Sequence, residues 1–154
     1  AFVEGIGERL TPLVLPPAWY AVVKPAASLP TAAIFSSPLL RRDTETVIVA
    51  GSLADASQPG SVDDGWPARI GGGFGRNDLQ AAAEDRCNEV AQAAAWLQAR
   101  FGNSRMTGSG SAVFARAGTG DQPLAAFPAD ALPPGWVGRM CRSLHRHPLA
   151  DWVG

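Results

Sequence analysis

Residues 104–116 read Ser-Arg-Met-Thr-Gly-Ser-Gly-Ser-Ala-Val-Phe-Ala-Arg, a turn of small residues that leads directly into an apolar strand. Glycine lets the backbone turn sharply and leaves no Cβ to keep a ligand away from the main-chain N–H groups. Gly108-Ser109-Gly110-Ser111 can thus present several N–H and O–H donors to one anion. An ordinary β-turn is the alternative, because neither a P-loop Lys-Ser/Thr pair nor a helix follows.

Composition and charge limit the classes of protein to consider. A chain of 154 residues is long enough for one domain with a hydrophobic core. Its formal net charge of −1 argues against a broad electrostatic interaction with nucleic acid. No apolar run approaches the ~20 residues that a membrane-spanning helix needs. We therefore expect neither a nucleic-acid partner nor a membrane partner.

Two cysteines and two histidines are the residues to weigh for a disulfide or a metal site. Cys87 and Cys141 lie far apart without metal-type spacing, so we predict two buried free thiols in a reducing cytoplasm. His145 and His147 could face one side of a strand, but no third ligand is close by in the sequence. We predict surface histidines and no metal site.

Short apolar runs predict the strands of an α+β fold. Residues 19–23, 112–115 and 136–141 each read as a strand, and most of the short strands would pair antiparallel. Residues 41–50 fit a short helix or a strand equally well, and residues 51–76, rich in Gly, Ser, Pro and Asp, predict a long connection. The expected architecture is an antiparallel sheet layered with helices.

Helical signals appear in three places. Thr31 suits the N-cap of a short helix that ends at Phe35, and residues 124–127 predict a poorly formed helix. The clearest signal is an apolar stripe at spacings of three and four, which predicts one continuous helix capped by Asn77 or Asp78 and ended by Gly102. The stripe consists of Leu79, Ala83, Cys87, Val90, Ala94, Leu97 and Phe101. The charged residues predicted to face solvent are Glu84, Asp85, Arg86, Glu89 and Arg100.

Two further features remain ambiguous from the residues alone. Phe35 fits a core aromatic, or a partly exposed ring that stacks on a base. The run at 71–75 reads as a flexible linker. The sequence shows no Ser/His/Asp constellation, carboxylate pair or activated cysteine, so acid–base groups of an enzyme would lie largely elsewhere.

Taken in order, five segments resemble a family of bacterial kinases. They include Ser-Leu-Pro-Thr at 28–31 followed by Ile34-Phe35, Asn-Asp-Leu at 77–79, and the glycine turn, which resembles the third motif of the GHMP kinase superfamily. The complete set is 1–12, 19–25, 28–35, 77–79 and 104–115. Together they resemble the carboxy-terminal half of the 4-diphosphocytidyl-2-C-methyl-D-erythritol kinases, with the main departure at 51–76.

This resemblance implies a ferredoxin-like GHMP kinase carboxy-terminal domain at 16–154, with 1–15 as the end of an amino-terminal kinase domain or a junction strand. The family transfers the ATP γ-phosphate to the 2-hydroxyl of its cytidine-diphosphate-linked substrate in non-mevalonate isoprenoid biosynthesis. It implies ATP and Mg²⁺ as cofactors of the full-length enzyme, neither of them held by this chain alone, and an amino-terminal domain that carries the ATP-binding glycine-rich motif and the catalytic aspartate and lysine. Since the chain begins without methionine, we expect a carboxy-terminal fragment. Without the nucleotide loop and the catalytic pair it should be inactive alone, and its free cysteines predict a cytoplasmic protein.

The resemblance also assigns roles to individual residues. It implies that Phe35 packs against the substrate cytosine and that Thr31 and Pro30 line the substrate cleft. Gly108, Ser109, Gly110 and Ser111 would support the phosphate loop, and no catalytic residue is expected in this chain. The alternatives are another GHMP kinase, of homoserine or phosphomevalonate type, and a non-catalytic binding module of the same fold.

Overall fold

A computed structural model describes residues 2–11, 17–44 and 75–144. The elements, in chain order, are β1 Phe2–Glu4, β2 Arg9–Thr11, β3 Trp19–Lys24, α1 Thr31–Phe35, α2 Gln80–Arg86, α3 Asn88–Phe101, β4 Arg105–Met106, β5 Val113–Gly118, the 3-10 helix η1 Ala129–Ala131, and β6 Val137–Arg142. The predictions for most of 41–50 and of the 51–76 connection, for nearly all of the linker at 71–75, and for His145 and His147 lie outside the described residues.

Four strands form the main sheet in the order β4-β5-β3-β6, and every neighbouring pair is antiparallel. Counted along this sheet alone, the order is second, third, first, fourth, which is the strand order of the ferredoxin-like arrangement. β1 and β2 pair separately as a two-stranded antiparallel sheet. The predicted α+β class is confirmed, and so is the strand predicted at 19–23.

The core lies between the sheet and α3, which packs on β5 and β3. Alternate residues of a strand face the same side, and the pairs Val23–Val113 and Ala21–Ala115 place four fully buried side chains there. On the helical side the buried residues are Ile34, Ala82, Ala83, Val90, Ala93, Ala94 and Leu97. Four of these seven side chains are alanines, which are small enough to allow a close approach of helix and sheet.

The opposite side of the central strands carries aromatic and cationic side chains. Tyr20 and Phe114 meet edge to face with ring centroids 6.1 Å apart. The Arg105 guanidinium lies 5.4 Å from the centre of the Phe114 ring. Burial lowers the pKa of Arg105, and the charge interaction with Tyr20 opposes that shift.

The long helix predicted from the apolar stripe is two helices. Cys87 adopts an extended conformation, with φ −146° and ψ 102°, and separates α2 from α3. The apolar spacing continues across this residue and neither Gly nor Pro stands there, so the sequence carries no signal of the break. The predicted end is confirmed, since Gly102 is the left-handed C-cap with φ 72°.

Glu89 corrects the prediction of a fully solvated charged face. Its side chain is partly buried, and its Oε2 accepts hydrogen bonds from the Ala27 N–H (3.3 Å) and the Trp136 indole N–H (3.1 Å). The helix break at Cys87 starts α3 one residue before Glu89, so this carboxylate lies in the first helical turn. One acidic residue thus joins α3 to the segments that follow β3 and precede β6.

Other local predictions also need correction. Residues 124–127 form no helix, and the only helical turn in this connection is η1, which follows Pro128. Strand β4 was not predicted; it has two residues and pairs with β5. Both cysteines are free thiols as predicted, but Cys87 is half-buried and Cys141 is exposed. Among the described residues, no helix combines the length and apolar character needed to cross a membrane.

Substituting Gly138 tests the packing over β6. A Cβ at this buried position would overlap the Phe127 ring and approach Leu132, and Phe127 itself packs against Trp96 at 5.7 Å between ring centroids. We expect Gly138→Ala to lower the free energy of unfolding by about 1–3 kcal/mol, since overpacking displaces well-packed groups. Urea unfolding measures this change. Gly120→Ala is the control, because its Cβ would meet only the Gln122 carbonyl oxygen at 3.9 Å; equal losses in both variants would contradict the packing described.

Candidate functional site

The sheet brings the segment at 28–35 and the glycine turn at 108–111 together at one end of its two central strands. β3 and β5 are antiparallel neighbours with Val23 opposite Val113, so the chain that leaves β3 and the turn that enters β5 lie side by side. Ser111, which is buried, donates a hydrogen bond of 2.6 Å from Oγ to the Ala27 carbonyl. Segments distant in sequence therefore form one continuous surface.

A pair of hydroxyl groups makes the second contact between these segments. Thr31 Oγ1 and Ser109 Oγ lie 3.0 Å apart, in a hydrogen bond in which either can donate. Thr31 is the first residue of α1 rather than its N-cap; Pro30 is the N-cap, without a side-chain cap bond. The predicted capping role is therefore wrong, and the hydroxyl of Thr31 bridges to the glycine turn instead.

Phe35 projects from the end of α1 into solvent. Its side chain is 48% exposed, whereas the preceding Ile34 is completely buried. Arg42 donates from Nη2 to the Phe35 carbonyl at 2.6 Å, which holds the end of α1 against residues beyond it. Phe35 is therefore not the core aromatic that the sequence allowed but the partly exposed ring, and Ile34 occupies the core position.

The two glycines of the turn have different surroundings. Both have positive φ, +56° at Gly108 and +92° at Gly110. A Cβ on Gly108 would meet nothing within 4 Å, but one on Gly110 would lie 2.9 Å from Met106 Sδ and 3.1 Å from Leu29 Cδ1. Gly110 is thus packed inward, and Gly108 lies where another molecule can approach the backbone.

Two amide side chains before and within α2 hold β4 and the turn. Asn77 Nδ2 donates to the carbonyls of Met106 (2.9 Å) and Gly108 (2.7 Å), and its Oδ1 accepts from the Leu79 N–H (3.0 Å). Gln80 Oε1 accepts from the Met106 N–H at 2.9 Å. The predicted cap at Asn77 or Asp78 is wrong, since Leu79 is the N-cap of α2 and no side chain caps it. Gln80 was not predicted, because side-chain bonds to a strand edge leave no periodic pattern.

The charged groups near this surface are largely paired. Arg76 lies 2.8 Å from Asp78 in an ion pair and donates to Thr44 Oγ1 at 2.6 Å. Within the described ranges, no group of three or more His, Cys, Asp and Glu side chains could hold a metal ion. The arrangement therefore offers hydroxyl groups, backbone amides and an aromatic ring, which are groups that bind and orient a ligand.

Curated relatives match the whole chain at high identity. The kinase named 4-diphosphocytidyl-2-C-methyl-D-erythritol kinase from Methylibium petroleiphilum is 54% identical over 100% of this chain and 49% of its own length. Those of Polaromonas sp. and Albidiferax ferrireducens are 48% and 45% identical, each over 99% of this chain and less than half of theirs. Along its whole length the chain is therefore similar to one part of these kinases. It spans about half the length of the curated relatives it matches.

The chain is also similar in fold to a solved structure of such a kinase. The crystal structure of a 4-(cytidine 5'-diphospho)-2C-methyl-D-erythritol kinase aligns with a TM-score of 0.52 and 28% identity, over 73% of this chain and 38% of the other. No family model matches the chain. The fold is thus similar, over the aligned part of the chain, to that of a kinase of known structure.

The structure places the residues predicted for this kinase family as follows. Thr31 and Ser109 touch, Ser111 anchors the turn to residue 27, and Gly110 packs against Met106 and Leu29. Pro30 and Phe35 are exposed on the segment that Thr31 fastens to the turn. Their binding roles stay predictions. The sequence did not predict the contacts of Arg42 and Asn77, which hold Phe35 and the turn; Gln80 anchors β4 and contacts neither.

The contrast between the two glycines of the turn can be tested by alanine substitution. Gly110→Ala combines an unfavourable φ with overlap of the buried Met106, whereas Gly108→Ala meets only the penalty for a left-handed residue. We expect Gly110→Ala to lower the free energy of unfolding by about 1–3 kcal/mol more than Gly108→Ala. Denaturant unfolding of the two variants measures the difference, and equal values would show that Gly110 is not packed as described.

Proposed function

We propose that this chain is the carboxy-terminal half of an ATP-dependent kinase that phosphorylates the 2-hydroxyl of 4-diphosphocytidyl-2-C-methyl-D-erythritol. The observation that carries the proposal is the 3.0 Å hydroxyl contact between Thr31 and Ser109. It fastens the segment with the exposed Phe35 to the glycine turn, and so joins a surface suited to a base with one suited to phosphates. The names and identities of the relatives support the same reaction.

The base-binding end consists of Phe35 and the segment before it. An exposed ring at the end of a short helix offers a flat apolar face to cytosine, and stacking buries both rings. The neighbouring Ile34 is fully buried and Arg42 donates to the Phe35 carbonyl, so the ring is presented from a fixed backbone. Pro30 and Thr31 would line the same cleft.

The phosphate end consists of the turn at 108–111. Gly108 leaves its backbone open to approach, and the Ser109 hydroxyl already bonds to Thr31. In the proposed reaction, the substrate hydroxyl oxygen bonds to the γ-phosphorus, the bond to the β-phosphate oxygen breaks, and ADP leaves. Positioning and stabilisation of charge dominate such a transfer, so a half that only orients the reactants contributes to the rate.

ATP and Mg²⁺ belong to the proposal for the complete enzyme. The described residues supply no cluster of His, Cys, Asp and Glu suited to a metal ion. The amino-terminal half of the kinase would hold the nucleotide and the group that accepts the hydroxyl proton. That half is the protein partner we propose, and the cytidine-diphosphate compound is the small-molecule partner.

The division of the chain and its location complete the proposal. Residues 16–154 would form the carboxy-terminal domain, and residues 1–15, which include the separate β1–β2 sheet, would belong to the end of the amino-terminal domain or to the junction. Two free thiols fit the reducing cytoplasm. The three relatives carry the same kinase name, which favours this substrate over homoserine or phosphomevalonate.

Removing the Phe35 ring tests the base-binding end. In the complete kinase, we expect Phe35→Ala to raise the dissociation constant of CDP about 5- to 150-fold, because stacking on an aromatic ring contributes ~1–3 kcal/mol per base. Phe35→Tyr retains the ring and should bind as the parent does. Isothermal titration calorimetry measures both. Leu124→Ala, which truncates another exposed apolar side chain, is the control, and unchanged CDP binding by Phe35→Ala would contradict the proposed role.

Because the amino-terminal half would hold the nucleotide and the proton acceptor, we predict that this chain alone does not transfer phosphate. We expect no ADP release above background when the 154 residues are mixed with ATP, Mg²⁺ and the cytidine-diphosphate substrate. The complete kinase should turn over under the same conditions. A coupled ADP assay with product detection by mass spectrometry makes the comparison, and ATP-dependent phosphorylation by the chain alone would overturn the assignment.

A further inference from the structure

We propose that Asn77 is a positioning residue of the reaction, because its carboxamide fixes the glycine turn relative to the start of α2. The proposal rests on the proposed function for what the turn contacts. The positioning itself rests on hydrogen bonds within this chain. Asn77 touches neither reactant in this scheme and acts through the backbone of the turn.

The carboxamide of Asn77 uses both of its N–H donors and its oxygen within the protein. Nδ2 donates to the carbonyl of Met106, at the end of β4, and to the carbonyl of Gly108, inside the turn. Oδ1 accepts from the Leu79 N–H, immediately before α2 begins. One planar group thus connects the helix start, the strand end and the turn, and its orientation follows from all three bonds.

Holding the Gly108 carbonyl orients the next peptide group. The peptide between Gly108 and Ser109 is trans, so the Ser109 N–H points to the side opposite the Gly108 oxygen. Because Asn77 Nδ2 holds that oxygen toward α2, the Ser109 N–H is directed away from α2. A backbone donor fixed in direction before a ligand arrives needs no reorganisation when an anion binds.

Gln80 provides an internal comparison. It also bonds to Met106, through the N–H of that residue, but no bond joins it to the turn among the contacts described. Its Nε2 donates to Glu84 at 2.7 Å along the same helix. Asn77 and Gln80 therefore share the anchoring of β4, whereas the bond to Gly108 belongs to Asn77. A loss of positioning can accordingly be separated from a loss of strand anchoring.

The experiment compares three variants of the complete kinase. Asn77→Asp keeps an oxygen for the Leu79 N–H but places a carboxylate against the carbonyls of Met106 and Gly108. Asn77→Ser keeps a short acceptor for Leu79 without that repulsion, in case the Asp variant does not fold. Gln80→Ala removes a bond to β4 and leaves the turn bond intact. We expect both Asn77 variants to lower kcat roughly 10- to 100-fold, the scale of a small misplacement, and Gln80→Ala to leave kcat within twofold.

Two further measurements distinguish positioning from a general structural defect. The affinity for cytidine, which carries no phosphate, should stay within twofold in the Asn77 variants, because its base meets Phe35 on the other segment. Amide hydrogen exchange at residues 108–110 should become faster in those variants but not in Gln80→Ala. Equal kcat losses in Gln80→Ala, or unchanged kcat and exchange in the Asn77 variants, would overturn the inference. A parent enzyme that fails to phosphorylate the cytidine-diphosphate substrate would instead refute the proposed function, since the exchange test needs no activity.

Discussion

The close approach of Gly110 to Met106 and Leu29 is the constraint on which the site depends. No side chain fits between these residues, because a Cβ would come within 3.1 Å of both. The turn can therefore pack against the segment after β3, where Ser111 reaches Ala27 and Ser109 reaches Thr31. If the turn stood further out, both hydroxyl contacts would be lost and the two halves of the site would separate.

Much of the architecture follows from local patterns in the sequence. Compact apolar runs indicated the strands, and the stripe at helical spacing located the helical region correctly. It could not show the interruption at Cys87, since one extended residue is set by what surrounds it. The partly buried position of Glu89 was missed for a related reason: its partners, Ala27 and Trp136, come from distant parts of the chain.

Only part of the candidate site could be predicted from the sequence. The glycine turn and Phe35 stand out by composition and by resemblance, and the structure makes both accessible to a ligand. The supporting amides do not stand out, because an asparagine before a helix is ordinary as a cap. Asn77 is not the cap; its bonds to Met106 and Gly108 depend on β4, a two-residue strand that no propensity indicates. Only tertiary pairing brings its carboxamide within reach of Gly108.

The Thr31–Ser109 bond joins residues that are 78 positions apart. Both are placed by the neighbouring strands β3 and β5, so the geometry of the site does not depend on the length of the intervening chain. The entropy lost in closing a flexible loop grows only slowly, by about 0.6 kcal/mol for each doubling of its length. Evolution can therefore lengthen or shorten the chain between α1 and α2 without dismantling the site. The same tolerance makes that region a suitable place to insert a reporter domain.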